Sequence, residues 1–387
     1  MQKKYLFLVR GFYPKASPSG NLILPLAKKI SEKNYVKVVS LGEKKEEIKL
    51  NNNLVCETIV SEPISVYKNR INRLLVRIKK NYYDKSIFKT FSEYLNSNEV
   101  EKFDVVIAVT YEEMLALAHN QLIKTEKKRI FMLEKFFYNN ELWINKQKEI
   151  EKNLLENIKT VYALPIAAKY LKKRFPLREY IVLDHPMVTN NTSDKCIKNP
   201  VPIILYGGGI DRKQRNPIEI LNLFNEVNKI TDLKIKFFTY GNMQIDLKEY
   251  SSENLFFESN TSISLDAYRK ELVNSDFLLS IGNKESDIVP SKLFDYVSTG
   301  KPIIHFSYHD DDPYYRYLKK YTPSLIINMN NFTLNKNFEV KKIVNFIEIN
   351  KDGYNNMKFE DILEALPECT PEYVANQIFC EESEKSE

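Results

Sequence analysis

The stretch "PIILYGGGIDRKQRNPIEILNLFNEVNKI" (202–230) decides the fold. A short apolar run ends in three glycines and a charged turn. A helical pattern follows, with Pro217 in its first turn, where a backbone N–H is not needed. A strand so short and so apolar is covered on both faces, as in a parallel sheet.

Working outward, the same unit repeats. Downstream, "KIKFFTYG", "LFFES", "FLLSIG" and "KPIIHF" read as strands, with helices "LDAYRKELVNS" and "PSKLFDYVST" between them. Upstream, "YLFLV", "VKVVSLG", "FDVVIAV", "RIFML", "TVYAL" and "YIVL" read as strands. "LILPLAKKISEK", "YEEMLALAHNQLI" and "IAAKYLKKRF" read as helices. The alternation predicts two doubly wound, Rossmann-like α/β domains in tandem. The expected bounds are 1–186 for the first domain, 187–200 for a polar linker and 201–360 for the second. A helical segment is expected over 361–380 and a disordered charged tail over 381–387. Ligands in such sheets bind at the carboxyl ends of the strands, so the predicted site is a cleft across which the two domains face each other.

The bulk numbers agree. A chain of 387 residues is too long for one ordinary core, and 43% hydrophobic residues are enough for two. Net charge is +6 but uneven: residues 1–195 hold 35 basic and 22 acidic side chains, the rest 22 and 29. A basic first half points to an anionic contact, such as a membrane surface or a phosphorylated substrate. Nucleic acid is not expected, because no recognised binding fold accompanies the charge. Cys56, Cys196, Cys369 and Cys380 form no CxxC pair and predict free thiols in a reducing compartment. The apolar run 5–9 is too short for a signal peptide. No stretch approaches the roughly 18 apolar residues of a spanning helix, so a cytoplasmic protein is expected.

"ESDIVPSKLFDYVSTGKPII" (285–304) carries the chemistry. Pro290 suits a helix start and Gly300 a helix end, which predicts a helix over 290–299. Backbone N–H groups around Ser291, Lys292 and Leu293, with the charge of Lys292, make an anion site. Asp295 lies one turn in and Asp287 in the loop before. Two acceptor-only carboxylates flanking an anion site suit a sugar–phosphate–ribose ligand. An exposed acidic helix face is the other reading.

The motif "IVPSKLFDYVSTGKPII" resembles the signature of GT-B glycosyltransferases, especially the bacterial group that builds capsules and lipopolysaccharide. That group is similar to the Glu-x7-Glu family of retaining transferases. Here the spacing is kept and both acids are Asp. The resemblance implies that Asp295 holds the ribose hydroxyls of a nucleotide diphosphate sugar, and that Asp287 lies at the donor sugar as the catalytic carboxylate. Basic residues after the first strand of the second domain would neutralise the donor diphosphate; Arg215 is the best match and Lys213 the second. Gly208 would let backbone approach the donor. Gly20, in "FYPKASPSGN" (12–21), sits in a loop that approaches donor and acceptor, and Gly241, in "YGN" (240–242), lies where the base is contacted. Ser291 and Lys292 complete the donor set.

Thr110, Glu112 and His119 are candidate acceptor contacts; His119 fits a plain helix-face residue as well. No metal ligands are expected. His185, His305 and His309 lack ligand spacing, and Asp310, Asp311 and Asp312 read as a solvated acidic loop. No cofactor is implied beyond the donor itself. The acceptor would be a glycan or lipid-linked hydroxyl. Segment 70–91 places Ile71, Leu74, Leu75, Ile78 and Tyr82 on one helical face and Arg70, Arg73, Arg77 and Lys80 on another. It fits equally a helix lying on the inner face of the plasma membrane and a core-packed helix with a solvated basic side. The rival functions are a nucleotide-sugar epimerase or phosphorylase on the same architecture, and a non-catalytic glycan-binding subunit.

Overall fold

The structure is a computed structural model. It describes all but residues 1, 14–16, 62–82, 98, 136–143, 193–198, 242–254, 259–264, 285–288, 333–334, 354–355 and 384–387. The chain divides into two compact units, Met1–Met187 with Pro371–Glu387, and Val188–Thr370.

The first unit is built on eight strands: β1 (Lys4–Leu8), β2 (Tyr35–Gly42), β3 (Glu46–Asn51), β4 (Leu54–Val60), β5 (Val105–Ala108), β6 (Lys128–Met132), β7 (Thr160–Ala163) and β8 (Ile181–Val182). Their order is β3-β4-β2-β1-β5-β6-β7-β8. Only β3 runs antiparallel, against β4. Strands β5, β6 and β7 are buried along their whole length, so they read as apolar runs apart from Lys128, Arg129 and Thr160 at the start of β6 and β7. The β3 strand was not foreseen. "EEIKLN" alternates half-buried and exposed positions, and its charges suit a sheet edge that must refuse further pairing.

The second unit has six strands, all parallel: β9 (Ile203–Ile210), β10 (Lys234–Gly241), β11 (Leu255–Glu258), β12 (Phe277–Ile281), β13 (Ile303–Ser307) and β14 (Ser324–Asn328). Their order, β11-β10-β9-β12-β13-β14, is the doubly wound pattern. The direction of winding reverses between β9 and β12, and in the first unit between β1 and β5. At such reversals neighbouring loops part and leave a crevice.

Several expectations are corrected. The helix expected at 21–32 is Pro18–Ser31, because Ser17 takes the cap position and accepts from the Gly20 amide. The helix expected over 290–299 is shorter, Lys292–Val297. Gly300 does stop it: φ is 74°, its amide donates to Val297 O, and a Cβ there would lie against the Met357 carbonyl. Residues 188–192 are no loose linker. The amides of Val188, Thr189 and Asn191 donate to Cys369 O, Ser298 Oγ and Ser298 O, which straps this segment to the second unit.

The tail is also corrected. Helix Pro371–Ser383 returns to the first unit, and Glu381 within it is buried. Arg129 Nε, Thr160 Oγ1 and Tyr162 OH donate to the Glu381 carboxylate at 3.3, 2.7 and 3.0 Å. Glu382 accepts from Lys3 Nζ and Tyr5 OH. Within the expected tail, Glu381 and Glu382 are thus bound into the first unit, while residues 384–387 lie outside the described residues. Cys56 and Cys369 are buried and Cys380 is exposed, all three as free thiols, while Cys196 lies outside the described residues. Among the described residues no helix is long and apolar enough to cross a membrane.

Candidate functional site

The crevice of the second unit begins where two strands part company. β9 pairs with β10 from Ile203 to Ile210, but with β12 only at Ile204 and Leu205. Beyond Leu205 the β9 backbone needs other partners. The Gly207 amide donates to the hydroxyl of Tyr296, 2.8 Å away on the Lys292–Val297 helix. That bond holds the helix at the crevice. A Cβ on Gly207 would lie 2.4 Å from the Tyr268 ring, so the helix Leu265–Asn274 can approach only because this residue is glycine. Gly208 is buried, and a Cβ there would meet the Tyr206 hydroxyl at 3.0 Å. Its bareness leaves room for that hydroxyl within the unit.

The helix itself presents Lys292 and Asp295. Lys292 Nζ lies 3.6 Å from the centroid of the Tyr268 ring, a cation–π contact. Burial pushes its ammonium below the usual lysine range, and the Asp295 carboxylate opposes that. Burial raises the Asp295 carboxyl above the usual range, while Lys292 and Arg269 pull it back. No hydrogen bond reaches Asp295 from the described residues. The backbone contribution is smaller than predicted. The Leu293 amide donates to Pro290 O and the next amide, Phe294, to Ser291 O, so a tight first turn consumes one of the three predicted donors. Asp287 lies outside the described residues.

The loop after β9 turns back on itself. Asp211 and Arg215 exchange backbone hydrogen bonds, and Asp211 Oδ1 accepts from the amides of Lys213 and Gln214. This turn sets Arg215 beside the loop after β12. Arg215 Nε donates to Asn283 Oδ1 at 2.7 Å, and the Lys284 amide donates to Gln214 O. Arg215 is therefore half-buried and held, whereas the Lys213 side chain is exposed. Of the two sequence candidates, only Arg215 has a fixed position. Gly241 ends β10 opposite Ile210.

In the first unit the corresponding reversal is closed by its own side chains. Thr110, at the N-cap of helix Tyr111–His119, donates through Oγ1 to Glu113 Oε2 at 2.5 Å and accepts from the Arg10 amide. Glu112 is ion-paired with Arg10 and accepts from the Asp84 amide. Glu113 is fully buried; burial raises its carboxyl, while the Thr110 bond and the Arg10 charge pull it down. Thr110 and Glu112 are thus both engaged by the protein's own groups. His119 stands at the other end of the helix, about 12 Å along its axis. It bonds Leu115 O through Nδ1 and meets the Phe88 ring edge-on. The structure does not bring it to Thr110.

Gly20 has a packing role: a Cβ there would sit 2.5 Å from Gly11 O, so the helix lies directly on the loop after β1. The sequence reading missed Arg10. Its place immediately after β1, at the reversal, is the signal that would have found it, and its side chain is 43% exposed between two acids. The acidic run at 310–312 is corrected in part: Asp310 and Asp311 are exposed, but Asp312 is buried against His305. Among the described residues no cluster of three or more His, Cys, Asp or Glu is placed to hold a metal ion.

No family model matches the chain, and no curated protein matches its sequence. Solved structures do match its fold along the whole length. Sucrose-phosphate synthase from Thermosynechococcus elongatus superposes with a TM-score of 0.68 at 11% identity, covering 99% of each chain. A trehalose-6-phosphate protein from E. coli, bound with UDP-2-fluoro glucose, gives 0.64 at 10%, covering 98% of each. WaaG, a glycosyltransferase involved in lipopolysaccharide biosynthesis, gives 0.60 at 9%, covering 97% of this chain and 99% of its own. At these identities the likeness establishes the fold, which is GT-B: two Rossmann-like units in tandem.

Proposed function

We propose that this protein is a glycosyltransferase that moves a sugar from a nucleoside diphosphate sugar to a hydroxyl of a glycan or lipid-linked acceptor. The observation that carries the reading is Asp295. A carboxylate held at a topological reversal, against the desolvation that raises its pKa, and given no hydrogen bond by the described residues, is an acceptor kept for a ligand. In this role it takes both ribose hydroxyls. Arg215 meets the diphosphate, with Lys292 and the Ser291 backbone beside it. The bond from the anomeric carbon to the diphosphate breaks, a bond to the acceptor oxygen forms, and the hydroxyl proton leaves. The protein's part is to position the groups and stabilise the departing diphosphate.

The finer reading is a retaining transferase in bacterial surface polysaccharide synthesis, with Asp287 at the donor sugar. Its support is the Asp-x7-Asp motif and the likeness in fold to WaaG, whose name places it in lipopolysaccharide biosynthesis. The donor class has support from the fold neighbour bound with UDP-2-fluoro glucose. On the acceptor side Arg10 replaces Thr110 and Glu112 as the residue with donors to spare. Peripheral contact with the inner face of the membrane through 70–91 belongs to the same proposal, from the charge pattern of that segment; residues 62–82 lie outside the description.

Calorimetry with UDP, GDP and CDP tests the donor site. Binding of one of them in the micromolar range is expected; binding of none rejects the reading. Incubating the matching sugar donor with and without glycan acceptors then separates the classes. Sugar transfer that needs an acceptor is expected, while change of the sugar without any acceptor would identify an epimerase.

A further inference from the structure

His305 and Asp312 form a buried pair that the donor chemistry does not use. His305 is fully buried and Asp312 is 4% exposed. His305 Nε2 lies 3.2 Å from Asp312 Oδ2, and since a carboxylate only accepts, Nε2 carries the proton. Nδ1 is 3.0 Å from Ser280 Oγ on the paired strand, so it accepts from that hydroxyl when the ring is neutral. Asp312 Oδ1 takes the Tyr314 amide at 2.9 Å, and the Tyr314 ring stacks on the imidazole at 4.3 Å. Such a pair is a poor way to stabilise a core, because apolar side chains of the same size do as well. Its position suggests another use.

The chain leaves β12 directly over it. The Gly282 amide donates to Phe306 O, and a Cβ on Gly282 would lie 2.8 Å from Asp312 Oδ2. The next two residues tie the loop to the basic turn: Asn283 accepts from Arg215 Nε, and the Lys284 amide donates to Gln214 O. A second link runs through Tyr314. Burial raises its hydroxyl pKa and the Arg215 charge lowers it, while His305 stacks on its ring and Asp312 takes its amide.

We propose that the buried His305–Asp312 pair is a positioning device for Arg215. It fixes the floor on which residues 282–284 rest, and so sets the guanidinium in one place for the diphosphate of a nucleoside diphosphate ligand. The ligand half of this proposal rests on the donor reading above; the positioning half does not.

The test uses the full chain labelled with ¹⁵N-arginine. Exchange of the Arg215 Nε–H with solvent is compared between the wild type, His305→Phe and His305→Gln. Phenylalanine keeps the ring and loses both hydrogen bonds; glutamine restores a donor to Asp312. Exchange should accelerate at least tenfold in His305→Phe and return towards the wild-type rate in His305→Gln. Protection retained in folded His305→Phe overturns the positioning role. Should that variant fail to fold, Asp312→Leu is judged by the same criterion, since an apolar side chain of similar size accepts from neither His305 nor the Tyr314 amide. UDP, GDP and CDP and their nucleosides are then titrated. Affinity for the bound diphosphate should fall about tenfold in His305→Phe, nucleoside affinity should hold, and the loss should vanish in an Arg215→Ala background. Lost protection with unchanged diphosphate affinity, or losses that simply add, overturns the ligand half. A wild type that binds none of the diphosphates rejects the donor reading, while the exchange rates still decide the positioning role.

Discussion

The two topological reversals of this molecule are alike in backbone and opposite in side chains. At β1 and β5 most of the polar groups are taken up by one another: Thr110 by Glu113 and the Arg10 amide, Glu112 by Arg10 and the Asp84 amide, with Glu113 Oε1 left without a hydrogen bond among the described residues. At β9 and β12 the groups are held but not used up: the Asp295 carboxylate accepts no hydrogen bond from the described residues, and the Arg215 guanidinium is tethered to Asn283 through Nε. A doubly wound sheet supplies the crevice, but whether it can bind is decided by how many hydrogen-bonding valences remain when the protein has finished with itself.

The sharpest way to break this contrast is to cut the tether in the second unit. Arg215→Ala should weaken nucleoside diphosphate binding by about 1.5–3 kcal/mol, roughly 10- to 150-fold, the scale for a hydrogen bond to a charged group. Lys213→Ala, at an exposed side chain, should change affinity by less than about 0.5 kcal/mol. Equal losses in calorimetry would erase the distinction between the two basic residues.

Asp295→Asn comes next. Nucleotide affinity should fall about tenfold, because a charged acceptor is lost. The free protein, however, should become more stable at neutral pH. A carboxyl whose pKa is raised in the folded state costs stability wherever it is ionised. The penalty is absent below the unfolded pKa and complete above the folded one. Thermal melts should therefore show the variant's advantage at pH 7 and its disappearance near pH 3. A variant less stable at pH 7 would show that Asp295 is a structural group, like the acids of the first unit.

The first unit gives the mirror result. Glu112→Gln should cost about 1 kcal/mol of stability, since Arg10 is too exposed for a larger penalty, and leave nucleotide affinity unchanged. The smallest effect is expected for His119→Ala: a shift under about 0.5 kcal/mol in denaturant melts and no change in transfer rate. A loss of transfer with His119→Ala would restore it to the acceptor site.

What the sequence disclosed follows the range of the interactions. Parallel strands buried on both faces announce themselves as apolar runs, so β1, β5, β6, β7, β9, β12 and β13 were legible. The half-exposed, charged β3 gave no apolar run to read, and β4, which pairs with it, was passed over too because Cys56, Glu57 and Thr58 interrupt its apolar pattern. Arg215 was legible because it follows a strand end directly. Asp312 was not, since two exposed aspartates precede it and the loop after β13 must turn back for it to meet His305 on that strand. Thr110 and Glu112 were rightly placed at a strand end, but their partners Arg10 and Asp84 come from segments 100 and 28 residues away. Proximity of that kind is made by topology and leaves no local trace.

The return of helix Pro371–Ser383 to the first unit has a consequence in time. Glu381 is synthesised 252 residues after Arg129, the cation it covers. At about 5–20 residues per second, Arg129 waits roughly 13–50 s for this buried carboxylate. The second unit, whose residues run unbroken from Val188 to Thr370, can close before the first is complete. Maturation therefore runs against the order of synthesis. A nascent chain stalled before residue 371 should expose Arg129 and the basic half of the protein to whatever anionic surface or chaperone is near. Fusions at the carboxyl terminus should strain the amino-terminal unit rather than the one they follow.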